Sequence, residues 1–329
     1  MVGFQVAPSV SLEHWHHDRK EVMRTDAAEA VAFRKVLTDF RKRLDGLIDS
    51  PGGVDLVISG DITASVRSRD PEYAAFTTQR GWGTVGGKTM LVGKRIVVIL
   101  DGAWLLTVTT AGDPVVNEAQ VALADGILVH EAQHVVMHQR ESCIDDVKPP
   151  EMTGCAGRSL YELGLRVIDE YRAEAAAIPL RNGRREKSNF GVLASATGQS
   201  IRLAVADPAH AEDHRAFMLA VLGACQPLWV GLAYFAASIR DAAGSIGPLP
   251  PTLGKSRLWT RYVGDQWLRL ARTLGGAPDA RADCPSEQLE ASAHGMVEVM
   301  RGQLLQVGFT FEDRQQGPYF FRERADFPV

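Results

Sequence analysis

Two histidines and a glutamate lie at a spacing that suits metal chemistry in the segment 127–138. His130, Glu131 and His134 form the pattern His-Glu-x-x-His. Residues four apart lie on one face of an α-helix, so both imidazoles can bind a single metal ion. Glu131 lies about 100° around the helix, where it can reach a metal-bound water without being a ligand itself. The pattern therefore predicts a metal site on this helix, with Glu131 close to a metal-bound water.

A second helical segment, 167–177, offers a third ligand. A catalytic zinc site needs three protein ligands and an open position for water. Glu170 and Glu174 share one face of this segment, so one can bind the metal while the other accepts a hydrogen bond from a ligating histidine. The spacing leaves open which of the two is the ligand. His138, one turn beyond His134, and Tyr171, next to Glu170, are further candidates for groups that support the ligands.

Both segments together resemble the gluzincin metallopeptidases, in which a His-Glu-x-x-His helix is followed by a helix whose Glu completes the site. The run Glu-Tyr-Arg-Ala-Glu-Ala-Ala-Ala, which begins at Glu170, is most similar to the ImmA/IrrE type of intracellular peptidase. The resemblance covers about the middle 60 residues. It implies His130, His134 and Glu170 as metal ligands and Glu131 as general base. Glu174 stands where that family has Asn or Asp.

The His-Glu-Ala-Gln-His run also resembles a group of bacterial peptide-modifying proteins associated with iron and 2-oxoglutarate. Two histidines and one carboxylate are the facial ligand set of non-haem iron oxygenases. This resemblance implies Fe²⁺ with 2-oxoglutarate in place of Zn²⁺, and Arg158, Arg166 or Arg172 as the partner of the co-substrate carboxylate. A third hypothesis is a non-catalytic metal-binding or interaction protein. The presence of Glu131 favours chemistry.

Peptide hydrolysis at such a site also needs a hydrogen-bond donor for the oxyanion. The substrate is then expected to be a protein or a peptide. Candidate donors come from both halves of the chain: Tyr161, Tyr171, His138, His210 and His214.

Hydrophobic periodicity predicts the elements that position these residues. Strands are expected at 54–59, 89–92 and 95–100, with a further strand at 104–109. Helices are expected at 27–48, from 113 to 139 and at 160–180, and residues 9–24, with three histidines, are interpreted as an exposed helix face. The expected fold class is α+β and mostly α, a zincin-like core with a small N-terminal antiparallel or mixed sheet, metal-site helices and a helical C-terminal half. One strand of the 89–110 region is expected to hold an extended peptide by main-chain hydrogen bonds.

Composition bounds the class of protein. The chain has 329 residues, of which 45% are hydrophobic and 23% charged, as in a soluble globular protein. A region 1–190 is predicted to hold the metal, and a helical region 191–329 either packs with it as one body or stands apart. The net charge of −4 lacks the positive excess that is typical of nucleic-acid-binding proteins, so nucleic acid is not expected as a partner. No secretory signal is recognised at the N-terminus, and four widely spaced cysteines are expected to be free thiols, so a cytoplasmic location is predicted.

Two stretches allow a misleading interpretation. Residues 216–239 are uncharged and long enough to span a bilayer. Pro227 in the middle and arginine on both sides favour a core helix, kinked or broken at that proline, so membrane contact is not expected. Gly87-Lys88-Thr89 imitates the end of a phosphate-binding loop, but a strand pattern follows where that loop requires a helix. The glycine-rich segment 79–88 is therefore predicted to be a flap.

Overall fold

The computed structural model describes residues 4–7, 10–15, 28–80, 83–108, 114–144, 147, 154–181, 190–210, 213–241, 243–314 and 317–322. The chain divides into two compact units. The first comprises Met1–Glu141 with Pro179–Arg184, and the second comprises Ser142–Ile178 with Arg185–Val329. The sequence predicts a different division, into a metal-binding region 1–190 and a helical region 191–329, and that division stays a prediction.

The described residues of the first unit form a mixed sheet and three α-helices. Its five main strands have the order β1-β2-β3-β7-β6, with β2, β3 and β7 parallel and the outer strands β1 and β6 antiparallel to their neighbours. Two short pairs, β4 with β5 and β8 with β9, lie outside this sheet. The elements in chain order are β1 (Phe4–Ala7), β2 (Val10–Glu13), α1 (Ala28–Asp45), β3 (Val54–Ser59), α2 (Ile62–Arg67), β4 (Gln79–Arg80), β5 (Gly83–Thr84), β6 (Gly87–Val92), β7 (Arg95–Asp101), β8 (Leu106–Val108), β9 (Pro114–Val116) and α3 (Glu118–Gln139).

The central strands follow the sequence prediction, and the N-terminal strands do not. β3, β6 and β7 are confirmed, as is a small mixed sheet before the helix that carries His130 and His134. The helix predicted over residues 9–24 is wrong at Val10–Glu13, where buried Val10 and Leu12 alternate with partly exposed residues in the period of a strand. The other histidines of that stretch, at positions 16 and 17, lie outside the described residues.

Helix α3 packs on β6 and β7 and is buried on most of its circumference. It begins at Glu118 rather than near residue 113, because Pro114–Val116 pairs with β8 and the Asn117 side chain then caps the helix. At its other end, the Gln139 side chain bonds the main chain of Asp49 and Ser50. Both ends of the helix that carries the predicted ligands are therefore fixed within the first unit.

In the described part of the second unit, the regular structure is helical except for one hairpin. Helix α4 packs against α6 and α10, and α6 packs against α5. The elements are α4 (Cys155–Ala177), α5 (Phe190–Ala206), α6 (His214–Ser238), α7 (Pro251–Gly254), α8 (Arg257–Tyr262), α9 (Trp267–Gly275), α10 (Ser286–Gln306) and the antiparallel strands β10 (Phe309–Arg314) and β11 (Gly317–Arg322). The predicted fold class, α+β and mostly helical, is confirmed. None of the four cysteines forms a disulfide bond.

Helix α6 is the apolar stretch recognised in the sequence. By length and composition alone it could cross a membrane, and it is the one such helix among the described residues. Its Leu228, Trp229 and Leu232 are buried in the core of the second unit. Pro227 lies inside the helix without ending it, so the predicted core helix is confirmed, and of the two alternatives at the proline, a kink or a break, the break is wrong. The cytoplasmic location stays a prediction.

Arg172 on α4 is a fully buried cation. Its guanidinium group donates to the main-chain oxygen of Ser142, to the Ser142 hydroxyl at 3.3 Å and to the main-chain oxygen of Pro278 at 3.1 Å. These acceptors belong to two connecting segments, which are thereby held against α4. A buried charge is tolerated when its hydrogen bonds are satisfied in this way.

Replacement of Arg172 by Met should lower the free energy of unfolding by about 2–4 kcal/mol, because buried carbonyl groups lose charged donors. Urea denaturation measures the change. The control is Arg158→Met, since Arg158 is exposed and its partner among the described residues is Glu162, one turn away. Such a pair contributes about 0.3–0.5 kcal/mol. Equal losses in the two variants would contradict a structural role for Arg172.

Candidate metal centre

His130 and His134 direct the same ring nitrogen to one place. The Nε2 atoms lie 3.2 Å apart. Two Zn–N bonds of about 2.0–2.1 Å at the tetrahedral angle separate their nitrogen atoms by about 3.4 Å. The histidine pair therefore has the spacing of two ligands of one ion. His130 is buried and His134 is partly exposed.

Glu170 completes a group that could hold a metal ion. One ligand atom each from His130, His134 and Glu170 lies within 4.8 Å of the others. Imidazole nitrogen with carboxylate oxygen is a donor set that both zinc and iron accept. The donor set thus fits a metal ion but does not distinguish zinc from iron. No comparable group occurs elsewhere in the described part of the chain.

The Glu131 carboxylate is buried and held by the edge of the sheet. The hydroxyl group of Thr89 lies 2.8 Å from Glu131 Oε2 and 3.1 Å from the Glu131 main-chain oxygen. A side chain at Gly87 would not fit, because a Cβ atom there would lie 2.8 Å from Glu131 Cγ and 2.7 Å from Ile127 Cγ2. Strand β6 therefore fixes the position of the predicted general base.

Among the described strands, β6 forms an outer edge of the sheet, and this edge lies beside Glu131. The turn at 93–94 has two residues, so the flanking pair Val92–Arg95 is hydrogen-bonded. From this pair onward, non-hydrogen-bonded and hydrogen-bonded pairs alternate along β6 and β7. The Asp101 N–H donates to the Gly86 carbonyl at 2.9 Å, which gives the same alternation at the other end. Among the described strands only β7 pairs with β6. The main-chain groups that point away from β7 belong to Gly87, Thr89 and Leu91.

Glu170 is contacted by a residue of α6. The hydroxyl group of Tyr234 donates to Glu170 Oε2, and both side chains are partly exposed. Glu174, the alternative ligand, is fully buried on α4 and is not a member of the group of three. The structure thus gathers Glu170 with the two histidines, whereas the role of Glu174 stays a prediction.

The other candidate donors have different surroundings. Tyr171 and Tyr161 are fully buried, and neither hydroxyl group has a hydrogen-bond partner among the described residues. Burial raises the pKa of both phenols. His138 lies in the last turn of α3, outside the group of three. His210 lies in a 3₁₀ turn before α6, with its Nδ1 2.7 Å from the Ala204 carbonyl oxygen.

Three residues of the site escaped the sequence analysis. The sequence predicts a strand at Thr89 and a glycine-rich flap at Gly87, whereas the structure places both residues in β6. A glycine next to a strand pattern often marks a close approach, and this was the available signal for Gly87. Tyr234 lies 64 positions from Glu170 inside the apolar stretch. Its phenolic hydroxyl group, the one phenol in the apolar stretch 216–239, was the available signal for it.

No model of a protein family, no curated protein and no solved structure matches this chain. The chemistry inferred for it therefore comes from the residues of the site.

Elemental analysis should find about one metal ion per chain in the purified protein, because three ligand atoms converge. His134→Ala should lose it. His138→Ala is the matched control, since His138 lies one turn further along the same helix outside the group. Metal content that is unchanged in His134→Ala, or lost equally in both variants, would show that the group does not bind the ion.

Proposed function

We propose that the protein is a zinc-dependent metallopeptidase with a zincin-like core. The observation that carries the proposal is the pairing of two features in one helix. His130 and His134 offer convergent nitrogen atoms, and Glu131 between them is held by Thr89 on an outer strand edge. Zinc held by His130, His134 and Glu170 would lower the pKa of a bound water to about 7 and polarise the substrate carbonyl.

Glu131 acts as general base and then as general acid. Its carboxylate accepts the proton of the attacking water and delivers it to the leaving amine. Thr89 donates to Oε2 and so orients the carboxylate in each step. A buried position keeps bulk water away from this carboxylate, and the low exposure of Glu131 supplies such a position.

Strand β6 binds the substrate. An extended peptide can add to a sheet edge by main-chain hydrogen bonds. The outward N–H and C=O groups of Gly87, Thr89 and Leu91 offer such bonds, and Thr89 also contacts Glu131. A peptide on this edge would therefore lie beside the general base. A protein or peptide is the substrate that this arrangement supports.

The contacts of Arg172 and Arg158, two of the three arginines considered as partners of 2-oxoglutarate, support hydrolysis over iron-dependent hydroxylation. An oxygenase needs a basic group for the 2-oxoglutarate carboxylate. Arg172 is buried and donates to Ser142 and Pro278, while Arg158 pairs with Glu162. Neither guanidinium group is directed to a co-substrate by these contacts. Glu131, in contrast, has a defined task in hydrolysis.

Glu131→Gln should keep its metal ion and lower the rate of peptide cleavage by about 10²–10⁴-fold, because the amide cannot take up the proton. A peptide library incubated with the zinc-loaded protein, followed by mass spectrometry, measures cleavage. The variant also controls for contaminating proteases. Absence of cleavage by metal-loaded protein, or turnover of 2-oxoglutarate by iron-loaded protein, would overturn the proposal.

Leu91→Pro should raise KM for a cleaved peptide by about 3–10-fold and leave kcat unchanged, because one main-chain donor of the outer edge is lost. Proline is tolerated there, since the N–H of Leu91 points away from β7. Leu91→Ala keeps the N–H and is the matched control for the exposed side chain. An equal rise in KM in both variants would argue against substrate binding by this edge.

A further inference from the structure

Tyr234 reaches Glu170 from a helix that is already held in place by other contacts. Leu232, Ala233 and Ala236 around it on α6 are completely buried. Trp229, one turn earlier, donates to Gln303 in the interior. The packing of α6 therefore does not depend on a partly exposed hydroxyl group, and the bond to Glu170 needs another explanation.

The acceptor of that bond is the one carboxylate in the group of three. A hydrogen bond from a hydroxyl group to a charged carboxylate is short and strong, and it fixes the orientation of the acceptor. Partners of this kind commonly orient the ligands of a metal, and their loss weakens metal binding by about 10–100-fold. The rigid backbone of α6 makes Tyr234 suited to this task.

We propose that Tyr234 is a positioning residue that orients Glu170 as a metal ligand by donating its hydroxyl group to Oε2. An oxygen atom engaged in this way favours binding of the ion through one carboxylate oxygen rather than two. With Glu170 held in this way, a bound ion would keep a coordination position open for water. The inference rests on the metal site of the proposed function and not on the nature of the substrate.

Tyr171 provides a matched control. It stands next to Glu170 in sequence and carries the same hydroxyl group, which is buried without a hydrogen-bond partner among the described residues. Tyr171→Phe and Tyr234→Phe thus make the same chemical change on residues of the second unit, and only the second removes a bond to Glu170.

Zinc affinity of the full chain, measured by competition with a chromophoric chelator, tests the proposal. Tyr234→Phe should bind zinc about 10–100-fold more weakly than the wild type, and Tyr171→Phe should bind it equally well. The thermal midpoint of the metal-free Tyr234→Phe protein should match that of the wild type. Affinity within twofold of the wild type, or an equal loss in both variants, would overturn the proposal.

Cobalt substitution gives a second signal that a merely structural role would not change. The visible absorption of Co²⁺ is strong in four-coordinate sites and weak in six-coordinate sites. The Tyr234→Phe protein, saturated with Co²⁺, should absorb more weakly than the wild type, because its Glu170 can bind through both oxygens. An unchanged spectrum would contradict the positioning role.

The outcomes separate this inference from the proposed function. Weaker zinc binding in Tyr234→Phe would support the positioning role whether or not a peptide is cleaved. Absence of peptide cleavage in all of the proteins would overturn the proposed peptidase activity alone. Failure of the wild type to bind zinc or cobalt would overturn both.

Discussion

The hydrogen bond between Thr89 and Glu131 is the constraint on which the geometry of the first unit depends. Glu131 is a carboxylate in the buried part of α3, and burial of such a group is costly unless its oxygens are bonded. Thr89 can reach it only when β6 lies close to the helix. Gly86 and Gly87 permit that approach, because a Cβ atom at either position would collide with Ile127. Pairing of β6 with β7 then fixes the whole edge relative to the helix.

Much of this arrangement is contained in local sequence patterns. A few neighbouring residues are enough to recognise the β-branched runs of β3 and β7 and the His-Glu-x-x-His spacing on a helix. Both patterns agree with the structure. The predicted start of α3 was wrong because a contact with another strand sets it: Pro114–Val116 pairs with β8 instead of joining the helix. Strand β2 was missed because only four residues carry its alternation.

The long-range parts of the site could not be obtained in this way. Glu170 and Glu174 share a helical face, so periodicity treats them alike, and only the fold distinguishes a partly exposed carboxylate from a buried one. Tyr171 is adjacent to Glu170 in sequence, yet the hydroxyl group that contacts Glu170 comes from Tyr234 on another helix. Contacts of this kind follow from the packing of α4 and α6, which depends on many side chains at once.

The outer edge of β6 sets a length as well as a position. From Gly87 to Leu91 the strand advances four residues, which corresponds to about 14 Å at about 3.4 Å per residue. A chain that pairs with all the outward groups must be extended over about five residues. Helices and tight turns cannot present their main chain in that form. A peptidase that uses this edge would therefore select its targets by local unfolding, and compact proteins would resist it except at their loose ends and linkers.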